Sequence, residues 1–143
     1  MSATLDEQIL AKNELTIAFV PNGQGGGFIE VRDSDGKGGG NVRARGGNTI
    51  RWTNETGYRC ELRFLEFLAA DDNGEPMASW PFRKRPPSGD NTAMMAAAGS
   101  NEERTFRGTL RKGIGGYVKY DVVIYSAGDV VLARLDPIII IDH

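Results

Sequence analysis

Glycine placement constrains this chain more than any other feature. Its nineteen glycines cluster at Gly23 to Gly27, Gly36 to Gly40, Gly46-Gly47 and Gly113 to Gly116, with short apolar runs between the clusters. Glycine reaches positive φ at little steric cost, so such clusters mark turns, and turns this frequent leave room only for short elements. The runs between them alternate. Ile50 and Trp52 share one face while Arg51 and Thr53 share the other. Tyr58, Cys60, Leu62 and Phe64 alternate with Arg59, Glu61 and Arg63, and Tyr120, Val122 and Ile124 make a third stripe. A period of two with one apolar face is what a half-buried strand requires.

Further strands are expected at Leu15 to Val20, Phe28 to Arg32, Asn41 to Arg45, Arg104 to Leu110, Val130 to Arg134 and Ile138 to Ile141. Eight or nine short strands with regular turns, and no interleaved helices, indicate an all-β fold, a β-sandwich or barrel. Two segments break the pattern. Residues 1–14 read as an N-terminal arm or short helix opened by the capping spacing Thr4-x-x-Glu7. Residues 15–143 form the sandwich domain, interrupted by one long inter-strand loop from Asp71 to Glu103, with a helical turn expected in Ala93 to Ala98. Loops this long in compact domains are often functional.

Composition then removes whole classes of chemistry. With 40% hydrophobic and 25% charged residues over 143 positions the chain is long enough and apolar enough to bury an ordinary core. Seventeen basic against nineteen acidic side chains give a net charge of −2, which provides no general attraction to nucleic acid or anionic lipid. Acidic residues stand where a secretory leader needs basic ones, and no apolar run is long enough to span a bilayer, so a cytoplasmic address is expected. One Cys and one His rule out an intrachain disulfide and any site built from several such ligands within one chain.

Longer motifs resemble a known family. Ile50-Arg51-Trp52-Thr53-Asn54, Trp80-Pro81-Phe82, Thr105 to Leu110, Tyr120 to Tyr125 and the closing Leu135-Asp136-Pro137-Ile138-Ile139-Ile140-Ile141 together look like the cupredoxin-like β-sandwiches. The resemblance covers Leu15 to Asp142 and implies that fold, an antiparallel Greek-key β-sandwich. The family's electron-transfer members hold copper with two His, a Cys and an axial Met. Here no Cys, His or Met lies between Tyr125 and Pro137, Cys60 falls on an earlier strand, and His143 is the sole imidazole. The resemblance therefore implies the scaffold without the copper site, and no metal or cofactor is expected.

The remaining chemical groups are sparse. Cys60 lies on an apolar stripe and is expected in the core. Asp33-Ser34-Asp35-Gly36 begins like a calcium loop, but Lys37 and Ala44 occupy ligand positions, so a hairpin turn is expected with calcium as the rival reading. Gly36-Lys37-Gly38-Gly39-Gly40 lacks the hydroxyl and the helix of a phosphate-cradling loop. Asn54-Glu55-Thr56 reads as a turn. Ile138 to Ile141 reads as a central strand, or else an edge that pairs with a second copy. Asp71, Asp72, Glu102 and Glu103 supply carboxylates for a rival enzyme reading, and His143 for a metal shared between chains.

The densest cationic cluster is Arg83-Lys84-Arg85, immediately after Trp80-Pro81-Phe82. The two aromatics either plug the open end of the sandwich or face a partner. Trp80, Phe82, Arg83, Lys84 and Arg85 are accordingly the expected partner-binding residues. The expected role is a non-catalytic protein-interaction or assembly module acting on a protein partner, a homo-oligomer included.

Overall fold

A computed structural model describes residues 13–36, 38–67, 80–84 and 91–142. The described residues contain no helix and form ten strands: β1 (Glu14–Pro21), β2 (Gly27–Asp33), β3 (Val42–Arg45), β4 (Thr49–Asn54), β5 (Arg59–Phe67), β6 (Thr92–Met95), β7 (Thr105–Thr109), β8 (Gly116–Tyr125), β9 (Val131–Leu135) and β10 (Ile138–Asp142). One sheet runs β2-β1-β4-β7 and the other β3-β10-β8-β5-β6, with β9 also on β8. The expected β-sandwich is present. It is not wholly antiparallel, because β1 pairs with β4, and β3 with β10, in parallel. A parallel pair needs its partners far apart in sequence, which local alternation cannot report.

One expectation about the irregular segments changes. Ala93 to Met95 belong to β6, not to a helical turn, and the four residues Thr92 to Met95 pair antiparallel with Cys60 to Arg63 of β5. Ala and Met favour helix by propensity, but an open sheet edge offers every backbone group a partner. The Ile138 to Ile141 run is an interior strand, flanked by β3 and β8. Only Ile139 and Ile141 are buried, so it alternates like its neighbours, and with both edges occupied it offers none to a second copy. The arm expected over residues 1–14 falls outside the described residues except for its last two, of which Glu14 opens β1.

The core lies between the inward faces of the two sheets, with Trp52 at its middle, fully buried. Around it stand Phe64, Phe82, Phe106 and Tyr120, with ring centroids 5.6–6.3 Å away. Most of these pairs meet edge to face, the arrangement that sets a ring's positive edge on its neighbour's negative face. The buried polar atoms in the cluster are matched. The Tyr120 hydroxyl donates to the Gly40 carbonyl at 2.7 Å and accepts from Trp52 Nε1 at 3.4 Å. Asn54 closes the β4–β5 turn: its amide nitrogen donates to the Tyr58 and Ala96 carbonyls, and its oxygen accepts from Thr56. Asn54-Glu55-Thr56 is thus the turn its composition suggests.

Gly108 on β7 makes room for Phe82. A Cβ placed there would stand 2.5 Å from the Phe82 ring, closer than real side-chain contacts allow. Gly108→Ala is therefore expected to expel or tilt Phe82 and to cost about 1–3 kcal/mol, read by denaturant unfolding. Wild-type stability in that variant would show that the Phe82–Gly108 contact does not hold the segment in place.

Candidate functional site

The segment Trp80 to Lys84 is fixed along the outer edge of β7 by backbone pairing. Phe82 bridges Leu110, Arg83 N–H donates to the Thr109 carbonyl at 2.9 Å, and Arg111 N–H donates to the Pro81 carbonyl at 3.1 Å. Trp80 and Phe82 are buried, so neither presents an aromatic contact to a partner; both plug the sandwich. Burial obliges the Trp80 indole N–H to find an acceptor, which it does at the Lys84 carbonyl, 2.6 Å away. That bond curls the chain back and leaves Arg83 and Lys84 exposed beside β7. Arg85 lies outside the described residues.

Arg83 and Lys84 share an open cavity of about 310 Å³ with Arg107, Gly108 and Thr109, floored by Phe82. Among the described residues no carboxylate lines it. Among the described residues none of these three cations enters an ion pair. Arg107 also lines a second open cavity of about 280 Å³ with Arg51, Thr105 and Glu103. Glu103 is exposed, and its carboxylate accepts the Thr105 N–H at 3.0 Å.

Sequence reasoning missed the second cavity because it depends on register. Leu110 N–H donates to the Asn48 carbonyl and Asn54 N–H to the Arg104 carbonyl, both at 2.9 Å. By the alternation of antiparallel ladders, Thr49/Thr109, Arg51/Arg107 and Thr53/Thr105 then occupy the non-hydrogen-bonded positions, where cross-strand side chains come closest. The hydroxyls of Thr49 and Thr109 are 2.7 Å apart, and those of Thr53 and Thr105 are 3.3 Å apart. Between these pairs two guanidiniums stand directly opposite each other, an arrangement that costs stability unless something relieves it. Arg51 has one exposed ion pair, to Glu14 at 3.5 Å, and its Nε is buried without a partner. The signal was present in the sequence as a repeated Thr-x-Arg-x-Thr, at Thr49 to Thr53 and Thr105 to Thr109.

The other sheet carries a separate charged network. Arg63 bonds Glu61 and donates to the Tyr125 hydroxyl at 2.5 Å, Tyr125 in turn donates to Glu61 at 2.9 Å, and Arg59 lies 4.8 Å over the Tyr125 ring. Burial, then the Glu61 carboxylate, raises the Tyr125 phenol above its ordinary range. Asp121 is fully buried and bonded to Arg134, with its Oδ1 left unpaired. Every acid here has a basic neighbour, so the network is built as a brace across β5, β8 and β9.

The other predicted groups are not brought together. Cys60 is fully buried, and its thiol is pushed up to about 12, by desolvation first and Glu61 second. Asp33 Oδ1 accepts the Asp35 N–H at 2.9 Å in a turn closed by Gly36, and no cluster of three or more His, Cys, Asp or Glu occurs among the described residues. Glu102 and Glu103 are exposed, whereas Asp71, Asp72 and His143 lie outside the described residues.

No family model and no curated protein matches the sequence. Among solved structures, the chain is similar to the McoA multicopper oxidase of the hyperthermophile Aquifex aeolicus, at 15% identity and a TM-score of 0.38. That match covers 94% of this chain and 28% of the oxidase.

Two outcomes follow from the buried groups. The folded protein holds the Cys60 proton to about pH 12, while the unfolded chain releases it near 9, so stability is full below pH 9 and falls above it. The expected contribution is about 1.4 kcal/mol per pH unit, absent in Cys60→Ala and read from unfolding curves at alkaline pH. Arg134→Ala strands a buried carboxylate and is expected to cost about 3 kcal/mol, more than Asp121→Asn, which removes the charge. Equal losses in the two variants would overturn that ordering.

Proposed function

We propose that this protein is a non-catalytic interaction module, on a scaffold we read as cupredoxin-like, that binds an acidic segment of a protein partner along β7. The observation that carries the reading is the cavity lined by Arg83, Lys84 and Arg107, three cations that enter no ion pair among the described residues, with the nearest acid, Glu103, in the adjoining cavity on the far side of Arg107. Seven other arginines, Arg32, Arg43, Arg51, Arg59, Arg63, Arg104 and Arg134, have carboxylate partners, while Arg45 and Arg111 enter no ion pair among the described residues. Cations left unmatched in one place, on a chain of net charge −2, form a local positive field that steers and orients an acidic ligand.

A protein fits this surface better than a nucleic acid. Single-stranded nucleic acid is held by aromatic platforms together with charge, and the aromatics nearest this surface, Phe82 and Phe106, belong to the core cluster. The exposed aromatics among the described residues are Phe28 and Tyr117, on other strands, and Tyr58, in the β4–β5 turn.

Fluorescence anisotropy with a labelled oligoglutamate peptide tests the reading. Binding is expected to weaken steeply with salt, and the double variant Arg83→Glu/Lys84→Glu to lose at least about tenfold in affinity, or about 1.4 kcal/mol. Indifference of the peptide to those substitutions, or tighter binding to single-stranded DNA than to oligoglutamate, would overturn it.

A further inference from the structure

We infer that the paired Thr-x-Arg-x-Thr strands form a phosphate-binding subsite, which takes a phosphoryl group carried by the acidic partner. The inference rests on the acidic-partner reading for the origin of that group, but the subsite is defined by its own geometry. Arg51 and Arg107 face each other across β4 and β7 at the position of closest side-chain approach. Their fork of donors suits an oxyanion. A Thr pair sits on each side, and in each bonded pair one hydroxyl keeps its hydrogen free to donate.

The donors of the two arginines are largely unspent. Among the described residues the Arg107 side chain has no partner, and that of Arg51 has only the 3.5 Å contact to exposed Glu14. Two like charges held at closest approach are relieved most fully by a bridging dianion. One carboxylate has a single charge and two oxygens; a phosphoryl group has up to two charges and three terminal oxygens, enough to reach both guanidiniums and a hydroxyl at once. Across the two cavities, which share Arg107, the cations Arg51, Arg83, Lys84 and Arg107 outnumber Glu103 and Glu14, the partner of Arg51, by two. Glu103 stands at the rim, where its carboxylate opposes an anion. It sets the affinity below what the arginines alone would give.

The test is a titration of the full chain with inorganic phosphate, against chloride at matched ionic strength, by calorimetry and thermal shift. Saturable binding and a raised melting temperature are expected in phosphate alone. Arg107→Gln is expected to abolish both, Arg51→Gln to weaken binding about tenfold or more, and Thr109→Val to weaken it severalfold. Glu103→Gln is expected to tighten it. All four positions are on or beside the solvent face of the sheet, and denaturant unfolding of each variant checks that it folds.

Two arms separate this inference from the reading above. Arg83→Gln/Lys84→Gln, which removes charge beside the subsite but none of the donors of Arg51 and Arg107, is expected to cost oligoglutamate at least about tenfold and inorganic phosphate less than Arg51→Gln costs it. A serine-containing acidic peptide is expected to bind more tightly when phosphorylated, with the gain lost in Arg51→Gln. If oligoglutamate binds but phosphate does not saturate, or the arginine variants bind phosphate as wild type does, the subsite is refuted and the acidic-partner reading stands. If phosphate binds and oligoglutamate does not, the subsite stands and the acidic-partner reading falls.

Discussion

The contact between Phe82 and Gly108 organises the β7 edge of the molecule. A strand residue with no side chain leaves a hollow on the inner face of β7, and an aromatic ring from a distant segment fills it. Because Phe82 is anchored there, Pro81 and Arg83 fall into hydrogen-bonding position on the strand's outer edge. Arg83 and Lys84 then stand beside Arg107. The charge surface is thus a by-product of core packing: apolar burial supplies the energy, and the cations are placed by where the backbone must run.

The two faces of β7 divide the work. Phe106, Gly108 and Leu110 serve the core, while Thr105, Arg107 and Thr109 make up the outer surface. Alternation in a strand couples the two faces rigidly, since a slip of one residue would send the arginine inward and the phenylalanine out. The aromatic cluster around Trp52 therefore also protects the register on which the opposed arginines depend. Hydroxyl contacts between Thr49 and Thr109, and between Thr53 and Thr105, pin the same register from outside.

Much of the sandwich was legible in the sequence because burial of one face leaves a period-two trace in each strand. Nine strands could be placed from that trace and from the glycine clusters. β6 escaped because Thr-Ala-Met-Met is short and rich in helix formers, and its conformation is set by the open edge of β5. The parallel pairs escaped because they join segments far apart in the chain. At the site, the Arg83-Lys84 cluster was visible as composition, and its exposure follows from the prolines and aromatics around it. The burial of Trp80 and Phe82 turns on whether the sheets leave room for them, and Gly108 alone hinted at that. The opposed arginines were hidden for a simpler reason: Arg51 and Arg107 meet only through a strand register that no local pattern reports.

One strand arrangement bears on how the chain reaches this state. β5 pairs along Val118 to Tyr125 of β8, so β10 and β9 divide the opposite edge between them. The four consecutive isoleucines of β10 are sheltered on one side by β8 and on the other by β3, nearly a hundred positions earlier. Until that distant partner docks, a sticky ribbon with an open rim persists, the kind of surface on which nascent chains cross-associate. Successful maturation is then a race between closure within the molecule and capture by a neighbour, and dilution or slow synthesis favours the first.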